Sequence, residues 1–319
     1  MAPTPSTPRV LTLTLNPSID VSTTTEKVRP EHKLRCSSAL LDAGGGGINV
    51  SRVVRELGAM TLAIYPEGGI TGSLLTQRLA ARGIPSAAVS CRARTRVCFN
   101  ASDTSAGHEY RFILPGVRLE PDELASCLDR VDAELTDADV LVASGSLPPG
   151  VPEDLYAQLT RRVRARGVKV VLDTSGPALR TALGSGLLLV KPSRREMAEA
   201  MGEPLQDLRS LAAACRKVQR SGAAEVLAVS MGSEGAILTS SSGQWLGVPP
   251  KVEARSAVGA GDSFVGAMTL SLLRGEPHDV ALAWASAAGA AALLAPGTEL
   301  CSRADAERLR SQVKVTPVE

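Results

Sequence analysis

The sequence predicts an α/β protein with a mostly parallel central sheet, helices on both faces, and a small separate β-sheet. Three observations carry this. Short apolar runs alternate with helical patterns over most of the chain, and that repetition builds parallel sheets covered on both sides. Turns rich in glycine and serine fall directly after the apolar runs, at the strand ends where open α/β sheets bind ligands. Two polar, β-patterned stretches, 17–46 and 95–114, break the alternation and read as a sheet of their own.

The elements follow in order. Val10–Leu15 alternates Leu and Thr as a strand does, and Asn16-Pro17-Ser18 ends it. Residues 21–43 read as short strands leaving the main body. Lys33 and Arg35 lie there one residue apart, a spacing that puts both on one face of a strand. Two cations on one face suit a phosphate, and they equally suit a solvated edge strand. Gly44-Gly45-Gly46-Gly47 is followed at once by an amphipathic pattern (Ile48, Val53, Val54, Leu57) with Gly58 as its stop. A linker is the ordinary explanation of four glycines. A helix starting directly after them favours close approach of backbone to ligand, with Asn49 placed to bond a polyhydroxyl compound.

Thr61–Tyr65 is a predicted strand and 71–82 a helix. Thr95–Ser102 and Glu109–Leu114 form a hairpin around Asp103–Gly107, with Arg96 on its first strand, and join 21–43 in the small sheet. Helix 121–135, strand Asp139–Ser144, helix 152–166, and strands Lys169–Asp173 and Leu187–Val190 continue the alternation. Strand Glu225–Ser230, a hairpin (Ala236–Ser240, Gln244–Val248), a helix opened by Gly259-Ala260-Gly261-Asp262 and a small-residue helix over 279–294 complete it. The predicted organisation is a loose tail (1–9), a core (10–16, 47–94, 115–319) and the small sheet (17–46, 95–114).

Composition removes several classes of function. Of 319 residues, 44% are hydrophobic and the net charge is +2, with no basic block to suit nucleic acid. Three histidines and six scattered cysteines without C-x-x-C spacing suggest neither a metal cluster nor a redox motif. Residues 1–9 lack the apolar core of a signal peptide, and no apolar run is long enough to span a bilayer. The chain is therefore expected in the cytoplasm, with reduced thiols. Neither G-x-G-x-x-G nor G-x-x-x-x-G-K-[ST] occurs, so the usual dinucleotide and Walker A signatures are absent.

The octapeptide Ala257–Phe264 is the densest signal. Glycines flank Ala260, Asp262 follows, and apolar helical spacing begins at Phe264. Free N–H groups and the positive end of a helix dipole make an anion site. A carboxylate beside an anion costs Coulomb repulsion, and it has a use if it takes a proton from an attacking hydroxyl.

In combination, Asn-Pro-Ser-Ile-Asp (16–20), Gly-Gly-Gly-Gly-Ile-Asn (44–49), Ser-Gly-Ser-Leu-Pro-Pro-Gly (144–150) and Val-Gly-Ala-Gly-Asp-Ser (258–263) resemble the ribokinase-like carbohydrate kinases, in their phosphofructokinase B branch. The likeness runs from Leu11 to about Ser302. Fructose-1-phosphate and tagatose-6-phosphate kinases of the branch usually carry lysine at the position of Gly46. The all-glycine form, with Lys33-Leu34-Arg35-Cys36 and Gly297–Ser302, looks like the minor bacterial 6-phosphofructokinases.

The resemblance implies an αβα sandwich whose small sheet is a lid that pairs between subunits of a homodimer. It implies that Asp20, Gly45, Gly46, Asn49 and Ser146 meet the sugar, and that Lys33, Arg35 and Arg96 take its 6-phosphate, with the neighbouring subunit's lid as a source for some of them. Asp262 would be the base, with the amides of Gly259, Ala260, Gly261 and Asp262 as the anion hole. Lys191, Ser193, Ser230, Gly232 and Gly235 would lie along ATP, and Glu196 would organise water around Mg²⁺. Ser256, Val258, Ala292, Ala295 and Gly297 would line a monovalent cation site, K⁺ being the candidate. The implied reaction is ATP-dependent phosphorylation of fructose 6-phosphate at C1, a glycolytic step. A tagatose-6-phosphate or fructose-1-phosphate kinase is the alternative, and a sugar-phosphate sensor the non-enzymatic one. Neither nucleic acid nor membrane is an implied partner.

Three positions depart from the family's pattern. Ser193 stands where asparagine is common, Ala295 where a polar residue is, and Arg29 where the nearest relatives stack a tyrosine on a second, inhibitory ATP. The last implies weak or absent inhibition by ATP.

Overall fold

The computed structural model describes residues 9–135 and 140–318. Its strands are β1 (Arg9–Leu13), β2 (Ser18–Thr25), β3 (Leu40–Gly44), β4 (Met60–Glu67), β5 (Ser86–Ser90), β6 (Arg96–Asp103), β7 (His108–Phe112), β8 (Val140–Ser144), β9 (Lys169–Asp173), β10 (Leu187–Val190), β11 (Ala224–Ser230), β12 (Ala236–Ser240), β13 (Gly243–Val248) and β14 (Lys314–Pro317). Its helices are α1 (Gly46–Glu56), α2 (Gly69–Ala81), α3 (Pro121–Glu134), α4 (Leu155–Arg164), α5 (Gly176–Ala182), α6 (Arg194–Met201), α7 (Leu208–Arg220), α8 (Ala260–Leu273), α9 (His278–Leu293) and α10 (Arg303–Arg310).

Ten strands form the large sheet in the order β14-β13-β12-β11-β10-β9-β8-β1-β4-β5. From β5 to β11 the pairs are parallel; the last three strands run antiparallel. The central strands are apolar on both sides because both faces are covered. Val140 and Val142 pack with Val50, Val54, Val265 and Met268 of α1 and α8. Leu141 and Ala143, one residue out of phase, pack with Cys127, Leu159 and Leu211 of α3, α4 and α7. This is the expected sandwich. The chain leaves β1 for α1 and β4 on one side, and β8 lies on the other, so the strand order reverses at β1. The carboxyl ends of β1, β8, β9, β10 and β11 share one edge of the sheet.

The small sheet has the order β3-β2-β6-β7. Its apolar side (Ile19, Val21, Ala43, Val97) rests on Leu75 and Leu79 of α2. The alternate residues Asp20, Ser22, Asp42 and Asn100 make a polar side.

Several sequence expectations need correction. Residues 26–39 do not form a strand but a loop running back beside β2, so Lys33 and Arg35 sit on exposed coil. Arg9, placed in the tail, opens β1, and residues 1–8 lie outside the described residues, as does Asp139 of the predicted strand Asp139–Ser144. The predicted helix 152–166 begins at Leu155, because Pro152 and the turn after it delay the start. All described cysteines are free, four of them buried. No helix is long and apolar enough to cross a membrane among the described residues.

Candidate active site

α8 starts at the sheet edge. Gly259 precedes it at φ 76°, a left-handed conformation that a side chain would strain, and a Cβ there would also strike Leu300. The Ser263 N–H reaches the Gly259 carbonyl at 2.8 Å, but the N–H groups of Ala260, Gly261 and Asp262 meet no acceptor among the described residues. Three free amides therefore point out of the first turn. Beside them Gly261 is exposed, so the space over the turn is open.

Asp262 accepts a hydrogen bond from Asn49 Nδ2 at 2.8 Å. Protein crowds the carboxylate although it keeps a window to solvent. Burial, with Asp173 nearby, lifts its pKa to about 6, against the pull of Asn49, Lys191 and Arg52. It is thus a base that is mostly ionised at neutral pH and proton-hungry enough to accept a hydroxyl proton.

Lys191, after β10, is buried and pairs with Asp173 at the end of β9 (Nζ to Oδ1, 3.2 Å). Burial works against both charges. Asp173, Glu196 and Asp262 outweigh it for Lys191, whose pKa lies above the ordinary lysine value. Burial pushes Asp173 up, with Lys191 as its counter-charge. The direction that decides the chemistry is that of Lys191, which stays a cation. A Cβ on Gly261 would sit 3.6 Å from Lys191 Nζ, so the ammonium lies just behind the amides of α8. The sequence reading placed Asp173 only as the end of a strand; the structure sets it beside Lys191 and Asp262.

Other expected residues are explained first by packing. A side chain on Gly46 would strike Ser144, one on Gly47 would meet Thr14 Oγ1 at 2.6 Å and the Leu13 carbonyl at 2.8 Å, and one on Gly44 would displace the Asp20 carboxylate. Gly45 adopts φ 117° over Thr14. The glycine run thus seats α1 on β1 and β8 and makes room for Asp20. Gly235 is closed off by the Gly247 backbone, whereas Gly232 faces open space. Ser193 and Glu196 form a capping box at the start of α6: Ser193 N–H donates to Glu196 Oε2 at 2.8 Å, and Glu196 N–H to Ser193 Oγ at 3.3 Å. Ser-x-x-Glu is a readable signature of that box. The other Glu196 oxygen carries no hydrogen bond among the described residues. Ser193 also bridges Ser230, so α6 and β11 meet at the same edge.

Asp20 takes the Ser18 hydroxyl at 2.6 Å. Burial raises its pKa, opposed by that bond and by Arg96, Arg111 and Arg52. Arg111, on β7, is a cation the sequence reading did not single out. Ser146 Oγ accepts from Asn16 at 3.0 Å. Arg96 donates to the Asn16 and Leu114 carbonyls, both at 2.9 Å, which pins it at the Ser18 end of the sheet. The Arg35 carbonyl meets Thr25, at the opposite end of eight-residue β2. At ~3.3 Å per residue the two ends lie roughly 23 Å apart, so one chain does not bring Arg35 and Arg96 to one phosphate. The segments proposed for a cation do meet: Arg255 N–H bonds the Leu293 carbonyl at 2.7 Å. There the Ala292 carbonyl already accepts the Ala295 N–H, and Gly297 lies against Ser22. No group of three or more His, Cys, Asp or Glu suited to a metal ion occurs among the described residues.

An α/β sandwich with an acid under free helix amides, at the carboxyl edge of the sheet, has the form of a phosphotransferase. The chain belongs to the pfkB family of carbohydrate kinases, whose family model matches residues 13–305. It is 43% identical over 304 residues to the ATP-dependent 6-phosphofructokinase isozyme 2 of Mycobacterium tuberculosis, covering 94% of this chain and 88% of that protein. It is 39% identical over 302 residues to the Escherichia coli isozyme 2 (94% and 97% covered). The crystal structure of Escherichia coli phosphofructokinase-2 in complex with substrates and products superposes with a TM-score of 0.92, at 39% identity over 95% of this chain and 99% of that one. Other structures of that protein hold fructose-6-phosphate or potassium, and one is a tetrameric inhibited form.

Proposed function

We propose that this carbohydrate kinase transfers the terminal phosphoryl group of ATP to the C1 hydroxyl of fructose 6-phosphate. The observation that carries the reading is Asp262 at the mouth of three unpartnered amides with Lys191 behind them. Asp262 takes the hydroxyl proton, the O1–phosphorus bond forms, and the bond from that phosphorus to the bridging oxygen of ADP breaks. The amides of Ala260, Gly261 and Asp262 and the Lys191 cation are already oriented toward the charge that spreads over the phosphoryl oxygens, which is where fixed dipoles act most strongly.

The nucleotide runs from there over Ser230 and Gly232, whose open face permits close approach. Glu196, with one oxygen uncommitted, suits a magnesium ion that keeps its waters and takes its other ligands from phosphate. Carbonyls of Ser256, Val258, Ala295 and Gly297 suit a monovalent cation, K⁺ among them.

Asp20, Ser146 and the amides before α1 face the sugar under the polar side of the small sheet, which acts as its cover. Arg96 takes the 6-phosphate. Lys33 and Arg35, at the far end of the sheet, reach a phosphate only in a second copy. Exposed Phe99 and Phe112, paired across β6 and β7, give that copy an apolar surface to rest on. This reading makes the working unit at least a homodimer. The Gly46–Ser144 contact leaves no room for the lysine usual in fructose-1-phosphate and tagatose-6-phosphate kinases, which favours fructose 6-phosphate.

Phosphorus NMR after incubation with ATP, Mg²⁺ and each of the three ketose phosphates tests the reading. Fructose 1,6-bisphosphate as the dominant product is expected. Faster turnover of either rival would replace the substrate, and ATP consumption with none of the three would overturn it.

A further inference from the structure

Asn49 is not free to face a sugar with both ends of its amide. Its Nδ2 donates to Asp262 at 2.8 Å and its Oδ1 accepts from Arg52 Nη1 at 3.1 Å. An asparagine amide turned over keeps its shape, but here it would set its oxygen against the Asp262 carboxylate. Arg52 prevents that, because a guanidinium has donors only and can face nothing but the oxygen end. Arg52 is itself held in three directions. Beyond Asn49, Nη1 reaches the Ala43 carbonyl and Nη2 the Thr298 carbonyl, each at 3.3 Å. Asp42 supplies the counter-charge and is fixed by the Thr298 hydroxyl at 2.7 Å and by Arg82 at 2.6 Å. The guanidinium is buried, so these partners are what makes its charge tolerable there.

We infer that Arg52 is a positioning residue for the catalytic base: holding the Asn49 oxygen, it turns the Asn49 nitrogen onto Asp262 and keeps that carboxylate aimed at the first turn of α8. This rests on the reading of Asp262 as base. Through one planar fork, the position of β3 and of the segment around Thr298 reaches the base. A lysine keeps the charge but not the fork, since one ammonium does not match three acceptors at fixed angles.

The test is a carbon-13 carboxyl titration of Asp262 in ligand-free protein, for the wild type, Arg52→Lys, Asn49→Ala and the double variant. Asp262 is faced by Asp173 and Lys191 from the ends of β9 and β10 and by Asn49 and Arg52 from α1. Wild type titrates at about 6. Each single variant is expected to move it up by about one unit, through loss of the bond that favours the ionised form. The double variant moves no further than Asn49→Ala alone. Single-turnover rate falls about tenfold in Arg52→Lys while the sugar phosphate KM barely changes.

A folded Arg52→Lys protein whose Asp262 titrates as in the wild type overturns the inference, as do shifts that add in the double variant. A merely structural arginine would lower the thermal midpoint and leave the titration in place. Should Arg52→Lys not fold, Arg52→Gln is compared in the same way and the same non-additivity is expected. The titration needs no substrate. A wild type that titrates as described yet phosphorylates no ketose phosphate therefore overturns the proposed reaction and leaves the relay standing.

Discussion

Two helices of this protein begin after glycines, and they use them oppositely. At α1 every glycine of the run is explained from inside: Asp20, Thr14, Ser144 and Leu13 occupy the places where side chains would be. Thr14 Oγ1 takes the Ile48 N–H at 2.9 Å, so protein caps the turn's third amide. At α8, Gly261 meets only the tip of Lys191, and all three first-turn amides are open. Glycine in the first place lets two parts of the fold touch. In the second it leaves a surface for something the fold does not contain. The two stretches look alike as text, and the difference is made by what lies opposite.

The largest effect expected from this contrast is at α8. Asp262→Asn should lower kcat by ~10²–10⁴, the usual worth of a positioned general base, and a near-native rate would break the contrast at once. The same change should stabilise the protein at neutral pH. Folded Asp262 titrates at about 6 against 3.8 for an unconstrained aspartate. The folded state therefore holds the extra proton between those values, and stability falls as pH rises through that window. Discounted for the solvent window, the gain on removing the charge is about 1 kcal/mol, read as a higher thermal midpoint at pH 7 than at pH 4, relative to wild type.

Gly261→Ala comes next. Its methyl fits against Lys191 but intrudes on the open side, so kcat should drop about 10²-fold in a protein that melts like the wild type. Loss of fold would put Gly261 in the same class as the α1 glycines. Gly47→Ala should do the reverse. Its methyl meets the β1 backbone, and overpacking there costs about 3 kcal/mol in denaturant unfolding. The smallest effect is at Thr14→Val, which leaves the Ile48 N–H unpaired at about 1 kcal/mol and should leave turnover near native.

The sequence made the sandwich legible because its strands are buried on both faces: Lys169–Asp173 and Leu187–Val190 stand in the structure as read. It hid β5, whose Ser-Ala-Ala-Val-Ser carries one β-branched residue, and α5, only seven residues long. α7 and α10 were not read either: α7 does carry an apolar stripe (Leu211, Cys215, Val218), which that reading passed over, whereas α10 buries only Ala306 and Leu309 and gives a weak one. β14 is an edge strand without an apolar pattern. In the site, Asp262 and Asn49 were legible from motifs and Lys191 only through the resemblance, and the structure brings the three close together. Arg52 and Asp173 were not, because a buried charge is recognised only by its partners, and those lie far along the chain. Arg96 and Arg35 were grouped by the resemblance, and only the register of β2 and β6 sets them at opposite ends of one chain's small sheet.

The central claim, that the Asp262 carboxylate is the base under the open turn of α8, is tested most directly by the single-turnover rate of the wild type as a function of pH with saturating fructose 6-phosphate and Mg-ATP. The account predicts an acid limb on which the rate climbs tenfold per pH unit, levelling off once the carboxylate is ionised in the ternary complex. A rate that is flat from pH 5 to 8, or an identical acid limb in Asp262→Asn, would contradict it.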